Sequence, residues 1–142
     1  MLLGAGLGGF VDGILLHQIL QWHHMLTERG YGLTVQTLAD GLFHAATWLA
    51  VTVGLWWLWR RVRLRRPRPY SALAGPMLAG WGLFNLIEGI VDHHLLAVHH
   101  VRSGEHQLAW DLAFLGLGAV LLIAGWLLHR DAIRRDRVPP ER

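Results

Sequence analysis

Two stretches of this chain repeat one spacing of acids and imidazoles. They are Asp12-Gly-Ile-Leu-Leu-His17-Gln-Ile-Leu-Gln-Trp-His23-His24 and Glu88-Gly-Ile-Val-Asp92-His93-His94-Leu-Leu-Ala-Val-His99-His100. They align without a gap at an offset of 76 residues, since 88 − 12 = 76, and pair His17 with His93, His23 with His99 and His24 with His100. Asp12 falls opposite Glu88. A fainter echo sets Asp40-Gly-Leu-Phe43, followed by His44, against Asp111-Leu-Ala-Phe114. Apolar helices resemble one another by composition, but composition does not reproduce histidines. The pattern predicts an internal duplication.

Imidazole and carboxylate together are the ligands of iron, zinc, manganese and copper. The chain has no cysteine and 3 methionines, which excludes thiolate sites and disulfides and disfavours a methionine-rich copper surface. The expected metal ligands are Asp12, His17, His23, His24, His44, Glu88, Asp92, His93, His99 and His100. Asp40, Asp111, Asn85, Gln21 and His94 are expected as further ligands or as residues that orient ligands. Asp40 and Asp111 open predicted helices, so N-capping competes with ligation there. His94 aligns with Gln18, which favours an orienting role. Glu105, His106 and His129 read as loop or interfacial residues.

The elements that must position these groups are apolar. Hydrophobic residues make up 53% of the 142 and charged ones 16%, against about 25% charged in an ordinary soluble domain. A bilayer core of about 30 Å takes roughly 20 apolar residues per helix, and the chain supplies four such spans: 2–25, 38–59, 72–100 and 107–129. Pro67 and Pro69 break the chain between the second and third spans, while Pro76 is tolerable in the first turns of the third. The expected fold is all-α: an integral membrane, antiparallel four-helix bundle, one transmembrane domain over 1–142, with a parallel internal two-fold repeat. A cleavable signal peptide is not expected, because the first segment carries histidines rather than a cleavage site.

All 13 basic residues are Arg, and they are clustered, six within 60–68 and five within 130–142. The sequence pI is near 10.5, yet blocks of Arg flanking apolar spans are the signature of cytoplasmic loops rather than of a nucleic-acid face. The loop 60–71, the tail 130–142 and both termini are therefore expected on the cytoplasmic side of a bacterial inner membrane. Nine of the ten histidines then lie toward the outer face. Trp57, Trp59 and Trp126 suit the inner aromatic belt, and Trp22 and Trp110 the outer one. The 17 glycines, as at Gly4, Gly6, Gly80 and Gly82, suit close helix contacts, and Gly4 to Gly9 lacks the strand that a dinucleotide fingerprint needs.

At 100° per residue, Asp12 and His23 share one stripe of the first helix and His17 and His24 another, 120–140° away. Asp12 and Glu88 lie about 12 residues from the outer ends of their helices, about 18 Å deep. A charge near mid-bilayer costs about 2.5–3.5 kcal/mol even on lenient scales. Several such acids need protons, imidazoles or a cation beside them.

The segments Gly9-Phe-Val-Asp12-Gly-Ile-Leu-Leu-His17-Gln, Gln21-Trp-His23-His24-Met and Asn85-Leu-Ile-Glu88-Gly-Ile-Val-Asp92-His93 resemble the hallmarks of one family, as do Asp40-Gly-Leu-Phe-His44 and Trp110-Asp111-Leu. It is a set of small predicted bacterial membrane proteins catalogued as a domain of unknown function, number twenty-two forty-three. The resemblance spans nearly the whole chain and implies no activity. His94 departs from it, standing where the family pattern has Gln.

The residues point first to a non-haem centre, holding two or more transition metal ions, copper or iron ahead of zinc, for dioxygen or electron chemistry. A metal-dependent oxidoreductase is the leading enzyme class. Two other readings stay open. One is a b-type haem held by His17 and His93, which neighbouring carboxylates disfavour. The other is a metal carrier or assembly factor for a respiratory oxidase, with respiratory-chain or metal-delivery proteins as partners beside the bilayer. A through-path for metal is disfavoured, because positions such as Leu55, Trp56, Leu83 and Leu121 are expected to form a dry plug in the inner half. Composition leaves the oligomeric state open.

Overall fold

The computed structural model describes residues 1–64 and 71–137. Every regular element among them is helical. Four helices are long and apolar enough to cross a membrane, Leu2–Ile19, Leu33–Leu64, Ala72–Leu95 and Gln107–Arg135. They are α1, α2, α3 and α4. The third begins in full at Ser71 and the fourth runs on to Arg137. Pro67, Pro69, Arg65, Arg66, Arg68 and the last five residues of the expected cytoplasmic tail lie outside the described residues.

The helix limits differ from expectation at both ends of the bundle. α2 starts five residues before position 38 and carries Arg60, Arg61 and Arg63 on its last turns. At 1.5 Å per residue its 32 residues run to about 48 Å, well beyond the hydrocarbon core. Arg is a good helix former, and each exposed guanidinium can lie on a tryptophan one turn back. Arg60 lies over Trp56 at 5.1 Å, Arg63 over Trp59 at 4.2 Å, and Arg130 over Trp126 at 5.4 Å. α1 and α3 end early, at Ile19 and Leu95, so the pairs His23/His24 and His99/His100 follow the helices rather than sitting on them.

The reason is local. Both helices widen from α to π, over Asp12–Ile19 and Gly89–Leu95. Leu20 N–H then donates to Leu15 at 2.8 Å and Leu96 N–H to Val91 at 2.7 Å. One residue further, Gln21 and Ala97 turn left-handed, with φ of 51° and 45°. Trp22 and Val98 close the turns by donating to Leu16 and Asp92 at 3.0 and 2.9 Å. The chain folds back, and each following histidine re-enters the bundle. The two connections also fasten to each other: Glu28 N–H donates to Val98 at 3.2 Å, Ser103 to the Glu28 carboxylate at 2.5 Å, and the Arg29 guanidinium to the Leu96 carbonyl.

α1 packs against α2 and α3, and α3 against α4. In the half of the bundle that holds Met1, away from the histidines, these contacts are backbone to backbone. A methyl on Gly4 would run into the Met77 carbonyl, and one on Gly80 into the Met1 carbonyl. A methyl on Gly54 would lie 2.8 Å from Leu3, and one on Gly125 would strike Ala79. Of the four residues named for the plug, Leu121 is half-buried and the other three do not enter the interior. Leu55, Trp56 and Leu83 are exposed on the outside of the bundle, where lipid is the natural neighbour, because glycine contacts this close leave no interior for large side chains.

Candidate metal centre

Burial inverts the usual order of residue types. The largest fully buried side chains are His17, His93, His99 and Asp111, and Asp12, His23, Asp40, Asn85 and Glu88 are each under 5% exposed. Polar groups buried in a span must find partners, and where they find none something else is needed.

Asp40 and Asp111 find theirs. Asp40 accepts from His24 Nδ1 at 2.6 Å, from His17 Nδ1 at 3.0 Å and from the Met25 N–H at 2.7 Å. Asp111 accepts from His100 Nδ1 at 2.7 Å and the Val101 N–H at 3.0 Å, with His93 Nδ1 at 3.3 Å. Asp40 lies seven residues into α2 and Asp111 four into α4. The N-capping alternative is thereby overturned: both carboxylates cap the loops after α1 and α3 instead of their own helices. Carboxylate behind imidazole is the arrangement that fixes the tautomer of a ligating histidine.

The π turns decide what His17 faces next. Five residues are 500° on an α-helix, leaving Asp12 and His17 140° apart. On a π-helix, bonded i to i+5, they come to one face. Asp12 Oδ2 thus lies 3.1 Å from His17 Nε2. Two separate stripes were expected, and the wider helix merges them.

His23 swings in from the loop, donates through Nδ1 to the Val101 carbonyl at 2.8 Å, and stacks its ring on His99 at 4.6 Å and 11°. His17 meets His23 edge-on at 4.4 Å, and His93 meets His99 edge-on at 4.9 Å. Phe43 and Phe114 back His17 and His93 at 5.6 and 5.3 Å. One ligand atom each of His17, His23 and His99 lies within 4.8 Å of the others. Burial, with His17 close by, holds His23 down to about 4. Burial and the neighbouring His23 and His93 hold His99 lower still. Both rings are therefore neutral at pH 7, with lone pairs free.

Around this point the buried atoms without a hydrogen-bond partner gather: Asp12 Oδ2, His17 Nε2, His23 Nε2, both oxygens of Glu88 and both nitrogens of His99. The Glu88 carboxyl lies against that of Asp12, and its Oε1 is 3.8 Å from His99 Nε2. Two apposed carboxyls away from water repel unless a proton or cation sits between them.

The remaining expected residues separate from this group. His93 packs against the cluster but outside the triad. His24 and His100 are half-buried and hold the far oxygens of Asp40 and Asp111. His44 gives Nδ1 to the Asp40 carbonyl at 2.6 Å and sets Nε2 where a Gly13 methyl would come to 2.7 Å. Asp92 is half-buried near Asp12. Gln21 and His94 are exposed, since the left-handed turn at Gln21 points its side chain outward. Thr27, whose hydroxyl accepts from the His24 N–H at 2.9 Å and donates to the His24 carbonyl at 2.6 Å, was not foreseen, and neither were Met25 and Val101. The backbone groups of the last two have no residue-type signal, although Met25 and Val101 stand at the same 76-residue offset.

A family model described as "Predicted membrane protein (DUF2243)" matches residues 1–132. The chain belongs to this DUF2243 family. No curated protein and no solved structure matches it. The matched region of this DUF2243 protein holds every group of the centre, and the family description carries no chemistry.

Proposed function

We propose that this protein is an integral membrane metalloprotein whose non-haem His/carboxylate centre, in the outer half of the bundle, holds more than one transition metal ion and serves redox chemistry. The observation that carries the reading is the convergence of unpartnered buried atoms from Asp12, His17, His23, Glu88 and His99. Each would cost about 1–3 kcal/mol if left unsatisfied, more if charged, and a dication would satisfy them together. Three imidazoles on one side and two carboxyls on the other favour two adjacent positions, one nitrogen-rich and one oxygen-rich. Copper or iron suits such a pair, with zinc as the non-redox occupant. The stacked rings of His23 and His99 beside both His17 and His93 speak against a porphyrin between them.

The 76-residue repeat, in this reading, is a duplication that brought both copies to one centre. Paired contacts support it: the π turns, the left-handed residues Gln21 and Ala97 and the contacts of Gly4 and Gly80 recur at the 76-residue offset, and the Asp40 and Asp111 clamps recur at an offset of 71, since 111 − 40 = 71. The Arg blocks favour both termini and the Arg loop inside a bacterial inner membrane. The test is elemental analysis of protein purified in mild detergent. More than one equivalent of transition metal per chain is expected, falling at least about fivefold in His17→Ala and in His99→Ala. Metal content at background in the folded parent protein would overturn the proposal.

A further inference from the structure

One acid among the helices stands apart from the others. Asp12, Asp40, Glu88 and Asp111 are buried, whereas Asp92 is half-buried. Asp40 and Asp111 hold imidazoles and backbone N–H groups. Among the described residues none donates a hydrogen bond to the Asp92 carboxyl, and the charges beside it are acids, those of Asp12 and Glu88. At the 76-residue offset its counterpart is Leu16, since 92 − 76 = 16, and Leu16 is half-buried in the same way. The backbone path therefore accepts a leucine at this place. An unpaired acid within a span is costly, and its presence points to a task.

Its position gives that task a direction. Glu88 and Asp92 are four residues apart across the start of the π turn, so they stand one above the other, about 6 Å apart along α3. Glu88 is the deeper, and both its oxygens are buried without a partner, as is Asp12 Oδ2. Beyond Asp92 the helix ends at Leu95, where His94 and Leu95 are exposed. Exposure thus rises turn by turn from Glu88 through Asp92 to the end of the helix. We propose that Asp92 is the entry position of the centre, where a divalent transition metal ion lands before it passes inward to Glu88 and Asp12. The inference rests on the metal reading above and names the route by which that site fills. A lone carboxylate suits the role, because a station on a path must bind well enough to admit an ion and weakly enough to release it. Such a station lowers the barrier to entry and exit alike. Its loss slows both and leaves the affinity unchanged, whereas loss of a standing ligand lowers the affinity.

The test uses the full chain in lipid nanodiscs after metal removal. Cobalt(II) uptake is followed by visible absorbance, and then its release to excess EDTA. In Asp92→Asn both rates should fall at least about tenfold, with the cobalt bound at saturation and its spectrum as in the parent. Asp92→Glu should restore both rates. Added salt should slow uptake in the parent more than in Asp92→Asn, because part of the attraction is an exposed charge. Glu88→Gln is the contrast, and should lower the cobalt bound at saturation. Unchanged rates in Asp92→Asn overturn the proposal. So does a loss of cobalt at saturation equal to that in Glu88→Gln, which makes Asp92 a standing ligand. A parent that binds no cobalt removes the metal reading and this one with it, while binding at rates indifferent to Asp92 removes this one alone.

Discussion

The stretch around Asp12–His24 and its counterpart around Glu88–His100 use one backbone path and end with different duties. Each has a π turn, a left-handed residue and a histidine pair, and each is clamped by an aspartate from the next helix. Yet the first contributes His17 and His23 to the triad and the second only His99. Asp40 takes three close donors where Asp111 takes two and a third at 3.3 Å. His44 stands where Leu115 does, and Gly8 where Phe84 does. Shared backbone fixes the position of groups, and unequal side chains then divide support from chemistry.

Three sets of substitutions test how far the halves are equal. Gly4→Val and Gly80→Val should be the most damaging, each costing about 3 kcal/mol or more, because the clash is with a carbonyl that cannot move aside. Both should abolish the monodisperse folded peak in size-exclusion chromatography. A folded Gly80→Val protein would break the equivalence of the two contacts. Asp40→Ala and Asp111→Ala come next, each leaving buried imidazoles and an N–H without an acceptor, at about 3 kcal/mol. Melting in detergent should show the Asp40 variant as the less stable, and the reverse order would contradict the asymmetry in donors. His44→Leu should be the mildest, within about 1 kcal/mol, and should keep the metal content of the parent. A large loss of metal there would place His44 among the ligands.

Much of the architecture was legible because it follows from solvent. Spans, helix count and the clustering of Arg are set by transfer energies that each residue carries with it. The 76-residue spacing of acids and imidazoles stands in the sequence itself, because histidines in apolar helices are too costly to recur by composition. Less legible was the centre itself. A regular α-helix put Asp12 and His17 on different faces, and π widening, which no residue type announces, brought them together. The same widening ended α1 and α3 early and freed His23 and His99 to fold inward. The half of the bundle away from the histidines misled in another way: Leu55 and Trp56 looked like core by hydropathy, and in a membrane protein hydropathy does not tell core from surface.

By itself the sequence determined that acids and imidazoles would share an apolar bundle, since each residue's cost of burial is its own. The tertiary structure alone decided which atoms are left without partners. That depends on where a carbonyl such as Val101 or a carboxylate such as Asp40 arrives from another element, and hydrogen bonds reach only about 3 Å.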